Sequence, residues 1–508
     1  MFVKVASGAV LGVDGYIVDV EVDISNGLPA FDIVGLPDSA VKESRDRVRA
    51  AIRNEDYAFP VKRITVNLAP ADIRKSGPAF DLPIAVGILI CTGVLKPNAV
   101  EGAFFAGELS LDGAVRPING VLPMALAAKA QGMRTFYVPA ENAQEASLVG
   151  DVTVYPIESL VALVRHFSTK PVAALDVDIT ALFRANEDTY NVDFADVVGQ
   201  VLVKRALEVA AAGYHNALMI GPPGAGKTML ARRMPTILPG LALEESMEIT
   251  KIYSIAGLLT QKSLLMTQRP FRTPHHTASY VSLAGGGRIP MPGEMSLAHN
   301  GVLFLDELPE FEKKALETMR QPLEDGHITV TRIGGICTYP SVFLLLATMN
   351  PCPCGYMGSE RCNCSEREIS RYLDKISGPL LDRIDIQVEA IAVAYEELSA
   401  RQRAAEDSAT IKQRVENARA RQQKRFANEP IHFNAKMPAS LIEKHCTMGK
   451  AAQDMLKMVF DSMQLSARAY HKILKIARSI ADLADSADIS EAHVAEAISY
   501  RGLDRKYW

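Results

Sequence analysis

Hydrophobic and polar positions change rhythm twice along this chain. Over residues 1 to about 168, strand-like runs such as "GYIVDVEVDI", "RITVNLAP" and "RTFYVPA" alternate with helical stretches such as "AVKESRDRVRAAIRN" and "VLPMALAAKAQG". That alternation predicts one α/β unit. From Thr169 the pattern weakens: "STKPVAALDVDITALFRANEDTYNVD" is polar, contains a proline and reads as a linker over 169–192. A second α/β pattern covers 193–392. "NALMI" is a short apolar strand, "KTMLARRMPTIL" a helix after it, and "GVLFLDE" and "SVFLLLATMN" are buried strands. Residues 393–508 read as helical throughout, starting with "EELSARQRAAEDSATIKQRVENARARQQKRF". The fold class expected is multidomain α/β with a helical C-terminal domain.

Length and charge refine this only slightly. A chain of 508 residues exceeds what one hydrophobic core serves, so roughly two to four domains are expected. With 55 basic and 59 acidic side chains the formal charge is 55 − 59 = −4. That excludes a strongly basic coat protein and leaves room for a local basic channel. "MFVKVASGAVLGVDGYIVDV" places Asp14 and Asp19 where a signal peptide needs an apolar core. No apolar run is long enough to span a bilayer. A soluble, cytoplasmic protein without a membrane partner is therefore expected. Cys91, Cys337 and Cys446 are scattered and read as reduced thiols.

The first chemistry is "GPPGAGKT": Gly221, Pro222, Pro223, Gly224, Ala225, Gly226, Lys227 and Thr228. It fits G-x-x-x-x-G-K-[ST] between a strand and a helix. Glycines let backbone N–H groups wrap phosphates, and the helix N-terminus adds positive potential. Lys227 can reach the β- and γ-phosphates, and Thr228 can ligate Mg²⁺. Downstream, "VLFLDE" ends a buried strand at Asp306, the place for a second Mg²⁺ carboxylate, with Glu307 beside it to polarise the attacking water. Alone, "DE" after a strand is no more than a solvated strand end; the P-loop upstream changes its weight. Asn350, at the tip of "SVFLLLATMN", can hold the water near the γ-phosphate. Arg383, in "ISGPLLDRIDIQVE", can serve a neighbouring subunit as an arginine finger. Its plainer role is a surface salt bridge with Asp382 or Asp385.

"GPPGAGKT", "LFLDE", "ATMN", "LLDRID" and "LSARAYHKILKIARSIADL" together resemble the AAA+ ATPase superfamily. "PFRTPHHTASYVSLAGGGRIPMPGEMSLAHNGVLFLDELPEF" narrows the resemblance to its magnesium-chelatase-related branch, and with the N-terminal part the whole chain resembles the YifB/ComM family of bacteria. That resemblance implies hexameric rings, ATP and Mg²⁺ as substrate and cofactor, Asn350 as sensor 1, Arg383 as the finger and Arg468 as sensor 2. Read without it, Arg468 is a helix-face charge snorkelling over apolar surface. The resemblance also implies DNA work: branch migration on branched or single-stranded DNA during natural transformation, alongside recombination proteins.

The residues themselves speak more softly for DNA. "EDGHITVTRIGGICTYPSVF" reads as a hairpin turning at Gly334–Gly335 with Arg332 near its tip. "SLAGGGRIPMPG" makes a second glycine-rich loop carrying Arg288. Repeated around a pore, the two arginines would form a positive ring able to track phosphates; the plainer reading is two ordinary polar loops.

Residues 1–168 resemble the Lon-protease-like fold through "RKSGPAFDLPIAVGIL" and "GELSLDGAVRPINGVLPM". In that family these segments carry a catalytic serine and lysine. The matching positions here are Ala79 and Leu122, which can neither attack nor take a proton. Ser76 lies close by as a turn residue. A non-proteolytic scaffold is expected, with Lys62, Arg63, Arg74 and Lys75 as charged surface.

Four of the seven cysteines fall in "NPCPCGYMGSERCNCSE". Cys352, Cys354, Cys362 and Cys364, as C-x-C-x7-C-x-C, can surround one ion. Tetrahedral Zn²⁺ is the favoured occupant, an iron–sulfur cluster the second, and free thiols the plain alternative. Lying between Asn350 and Arg383, a metal knuckle would staple a loop too polar to have its own core. The reading reached is an ATP-driven DNA motor. Its rivals are a magnesium-chelatase motor subunit and an AAA+ scaffold or protease regulator acting on a protein partner.

Overall fold

The computed structural model describes residues 1–175, 177–185, 190–260, 264–287, 290–332, 335–392, 406–503 and 507. The N-terminal unit is built on a seven-stranded mixed sheet. Its strand order is Ala30–Val34, Arg63–Ala69, Asp14–Ser25, Phe2–Leu11, Ala103–Phe105, Thr135–Pro139, Thr153–Ile157. Strict alternation explains the longest pair: Val18, Val20 and Val22 are buried, while Asp19 between them meets Lys4 at 2.8 Å in the solvent. The helix Ser39–Asn54 is capped by Asp38, whose carboxylate accepts from Val41 N at 2.9 Å, and it buries Val41, Val48, Ala51 and Ile52. The helix Asp81–Cys91 is apolar almost all round and lies inside the core. Its buried Asp81 is held by Arg47 Nε at 2.6 Å and by Leu109 N at 3.1 Å.

Ala79 and Leu122, standing where a Ser–Lys dyad would be, belong to one apolar cluster, so the space is packed with hydrocarbon. Of the four cations read as surface, Lys62, Arg63 and Arg74 are exposed, whereas Lys75 is fully buried. The backbone of Lys75 is pinned by hydrogen bonds with Leu36 and Asp38, which draws the side chain inward. The 169–192 stretch is more than a polar tether. Leu175 N donates to Val154 O at 2.8 Å, and the helix Ile179–Ala185 lays Ile179 and Leu182 on the same cluster that holds Leu122.

The second unit carries five parallel strands in the order Phe271–Arg272, Val302–Leu305, Leu344–Met349, Ala217–Ile220, Ile386–Glu389. The three middle strands are buried at every position, as expected of a parallel sheet covered on both faces. "KTMLARRMPTIL" forms two short helices, Lys227–Ala231 and Met234–Ile237, rather than one. Pro235 has no N–H to continue the first, and it starts the second. The helix Leu243–Ile255 turns back to the N-terminal unit: Gly120 N donates to Ser254 O at 3.1 Å, and Ser254 Oγ meets the buried Glu145.

The C-terminal helices Ser408–Arg425, Ala439–His445, Lys450–Met463, Ala467–Leu483 and Glu491–Ser499 share one core with the parallel sheet. The expected helix before Asp407 falls largely on 393–405, outside the described residues. No described helix is long and apolar enough to cross a membrane.

Candidate functional site

The C-terminal ends of the central strands bring the phosphate-type residues together. The strand Ala217–Ile220 leads into the loop Gly221–Gly226. Gly224 and Gly226 take φ of +78° and +81°, a backbone that leaves N–H groups on the concave side. Lys227 begins the next helix and is 8 % exposed. Its ammonium donates to Gly221 O at 2.6 Å, Pro222 O at 2.9 Å and Asn350 Oδ1 at 3.1 Å. Burial lowers its pKa, opposed by the nearby charges of Asp306 and Glu307.

Thr228 Oγ1 donates to Asp306 Oδ2 at 2.8 Å. Thr348 Oγ1 donates to the other oxygen, Oδ1, and also accepts from Glu307 N at 3.3 Å. Thr348 therefore orients both acidic residues. It went unassigned in the sequence, although a hydroxyl inside "LLLATM" was a signal. Glu307 sits in the left-handed region at φ +55°, an uncommon conformation for a side chain of this size, and aims out of the strand end. Its Oε2 lies 3.9 Å from His276 Nδ1. Gln200 Nε2 donates to Ala225 O at 3.0 Å and to Ile391 O at 2.5 Å, bracing the loop. His276 and Gln200 also escaped sequence reasoning; "PHH" before the acidic strand was the only signal.

Asn350 thus joins Lys227, Thr228, Asp306 and Glu307. Arg383 and Arg468 do not. Arg383 Nη2 pairs with Glu324 at 2.5 Å and Nη1 donates to Pro379 O at 2.6 Å; neither Asp382 nor Asp385 is its partner. That contact holds the Glu324 carboxyl below its usual range. Arg468 pairs with Asp382 at 3.6 Å and is largely exposed. The arginine segment is anchored from several sides. Asn216 Nδ2 donates to Arg383 O at 2.8 Å, and Lys472 and Arg501 donate to Ile384 O. His215 bridges Asp385 (3.1 Å) and Ser479 (2.8 Å), tying the segment to the helix that carries Arg468.

The four cysteines converge. Cys352 Sγ is 3.4 Å from Cys354 and 3.8 Å from Cys362, Cys354 and Cys362 are 3.7 Å apart, and all four ligand atoms lie within 4.8 Å of one another. A tetrahedron with Zn–S bonds of about 2.3 Å has edges of about 3.8 Å, so the set fits the ion. Cys354 is lowered to about 6, chiefly by the Tyr356 N–H. Cys364 receives the Cys354 N–H, yet desolvation and the Cys354 and Cys352 sulfurs push it up to about 12. Sulfurs this close cannot all ionise without a cation among them. The knuckle also touches the phosphate loop: a Cβ built on Gly355 would lie 2.5 Å from Pro223 Cδ.

The two glycine-rich segments are both hairpins. His327–Arg332 pairs with Gly335–Pro340 through Arg332↔Gly335, so Gly335, expected in the turn, is a strand residue; Gly334 lies outside the described residues. Arg332 is the last paired residue of its strand. Gly285–Gly286 pairs with Met291–Pro292, and Arg288 lies outside the described residues. Tyr339 OH donates to Pro290 O at 2.9 Å, which sets the hairpins side by side.

A parallel sheet in this order, with a glycine-rich loop carrying Lys227, a Thr–Asp pair and Asn350 at its strand ends, defines an AAA+ type unit. Comparison with known families agrees: "Magnesium chelatase, subunit ChlI" matches residues 193–398, "Subunit ChlI of Mg-chelatase" residues 20–142, and "Magnesium chelatase, subunit ChlI C-terminal" residues 405–501. The chain is 43% identical over 505 residues to the competence protein ComM of Haemophilus influenzae, covering 99% of this chain and 97% of that one. It is 43% identical over 502 residues to YifB of Salmonella typhimurium, covering 98% and 96%. Similarity to the magnesium-chelatase 67 kDa subunit of Chlorobaculum parvum is confined to 162 residues at 28% identity, 31% of this chain and 23% of that one. The chain belongs to the ComM/YifB family.

Proposed function

We propose that this chain is the subunit of a homo-hexameric, ATP-driven motor that moves on DNA in the cytoplasm, with branch migration at branched junctions as its reaction. The observation that carries the reading is the division of the candidate catalytic set. Among the described residues, no hydrogen bond or ion pair given by the structure links Lys227, Thr228, Asp306, Glu307 or Asn350 to Arg383 or Arg468. One chain supplies the phosphate and water side, and a neighbour supplies Arg383. Such head-to-tail contacts close into rings.

In this mechanism Lys227 exchanges its loop carbonyls and Asn350 for the β- and γ-phosphate oxygens. Thr228 and Asp306, both hard oxygen donors, would hold Mg²⁺, which would supply charge neutralisation at the phosphates. Glu307 takes a proton from water oriented by Asn350. The water oxygen bonds to the γ-phosphorus while the bond to the β–γ bridging oxygen breaks, leaving ADP and phosphate. Arg383 of the adjacent chain balances the charge that develops on the phosphoryl oxygens. Arg468, on the helix joined to the arginine segment through His215, carries nucleotide state into the C-terminal domain. Cys352, Cys354, Cys362 and Cys364 would hold a structural Zn²⁺, which would supply folding energy to the knuckle over Pro223.

The DNA assignment draws on the relative named as a competence protein and on the two neighbouring antiparallel strand pairs joined through Tyr339 and Pro290. The test is a labelled four-way junction incubated with the protein and ATP. Strand-exchange products that require ATP and disappear with Lys227→Ala support the reading; their absence counts against it. The second reading, a chelatase-type motor acting on a protein partner, draws on the three ChlI matches. It predicts hydrolysis that ignores DNA and responds to the partner.

A further inference from the structure

A cavity of about 730 Å³ lies where the three parts of the chain meet. Val13 and Asp14 of the N-terminal hairpin form one wall, the helix Leu243–Ile255 a second, and Arg419 and Phe433 of the C-terminal part a third. The volume falls within the roughly 300–1,000 Å³ of small-ligand pockets.

Arg419 is 8 % exposed, and its Nε and Nη1 make no hydrogen bond. Its guanidinium lies 4.1 Å from the Phe433 ring centre and 5.3 Å from that of Tyr214, and the two rings stack at 4.4 Å. Aromatic faces attract the flat cation but accept none of these N–H groups. Burial, reinforced by the Arg269 guanidinium, works against the Arg419 charge. Arg269 lines the same cavity in a different state: it donates to Pro239 O, Gly240 O, Asn300 O and both oxygens of Glu245. Glu245 is thereby engaged, and Glu248 is held by His299 and Asn300. The buried guanidinium therefore lacks the anion that a desolvated cation requires.

We propose that this cavity is a binding site for a small organic anion with a single carboxylate or phosphate monoester. That head group accepts from Arg419, and the apolar body packs along Val13, Val342 and Phe433. Asp14, Glu244, Glu245 and Glu248 line the cavity together with Lys251, Arg269 and Arg419, so its acidic residues outnumber its basic ones by one. This balance disfavours polyanions such as ATP or a DNA strand relative to a single small head group. A ligand here touches all three parts of the chain and braces them together.

The test uses the full chain carrying Lys227→Ala, so that the result does not depend on the ATP site or on the motor reading. Benzoate and phenyl phosphate, with one body and two head groups, are titrated by ligand-observed NMR and thermal unfolding, with ATP as the polyanion control. Saturable binding of at least one probe, a rise in Tm and no displacement of the bound probe by ATP are expected. Arg419→Gln should weaken that binding about tenfold, the loss of a charge-assisted contact. Should Arg419→Gln fail to fold, Gln423→Glu adds a carboxylate on an exposed lining residue without removing a buried group, and binding should fall severalfold. Neither probe binding, or binding undiminished by the folded variant, overturns the proposal.

Discussion

Gly355 and Gly358 offer a matched pair for testing whether the cysteine knuckle supports the phosphate loop. Their φ values are +85° and +83°, so alanine at either meets the same left-handed penalty of about 1–2 kcal/mol. Their surroundings differ. A Cβ on Gly358 meets nothing within 4 Å, whereas a Cβ on Gly355 stands 2.5 Å from Pro223 Cδ and 2.8 Å from its Cγ. Ordinary contact begins near 3.4 Å, so Pro223 must retreat by about 1 Å. Misplacement of that size in a catalytic loop costs on the order of 10²-fold in rate. Gly355→Ala should therefore lower kcat/KM for ATP by one to two orders of magnitude, while Gly358→Ala should stay within about twofold of wild type at a similar loss of stability. Steady-state ATP hydrolysis with thermal unfolding of both variants makes the comparison. Equal kcat/KM values at equal Tm would refute the buttress.

Three further outcomes are expected. The purified protein should be colourless and contain one zinc per chain by elemental analysis, and Cys362→Ser should lower both the metal content and Tm; visible absorption with iron would assign a cluster instead. An equal mixture of Lys227→Ala and Arg383→Ala subunits, each inactive alone, should regain ATPase, since roughly a quarter of the interfaces then pair an intact phosphate side with an intact arginine; an inactive mixture would place Arg383 outside the neighbour's site. Glu145, buried beside Ser254, has its pKa raised by burial in spite of hydrogen bonds from Ser254, Leu122 and Asn142. The folded state thus binds this proton more tightly than the unfolded chain does. The contribution to stability is full below the ordinary value of 4.5 and is lost as pH rises through the raised folded value. Glu145→Gln should flatten that slope in thermal unfolding, and a slope left unchanged would count against it.

The sequence was most legible where the chemistry is local. A phosphate loop has to be contiguous, and the fully apolar strands "ALMI", "VLFL" and "LLLATM" announce a sheet covered on both faces. What escaped depends on residues far apart in the chain. Thr348 matters because the strand beside it ends in Asp306, and Gly355 because the knuckle folds onto Pro223. The strands Phe271–Arg272 and Ile386–Glu389 lie at the sheet edges, are short and mix polar residues with apolar ones, so periodicity missed them. Lys75 read as surface because a lone lysine almost always is; only the backbone pairing with Leu36 and Asp38 draws it inside. The strap at 169–192 hid its apolar face at Leu175, Ile179 and Leu182 among acidic and polar neighbours.

The central claim is a motor whose ATP hydrolysis is coupled to branched DNA. The most direct measurement is ATP turnover by the purified protein without DNA, with linear single or double strands, and with a four-way junction, using Lys227→Ala to exclude contaminating ATPase. Turnover stimulated most strongly by the junction and abolished in the variant is expected. Wild-type turnover indifferent to every DNA would contradict it, leaving the ATPase assignment and pointing to a protein partner.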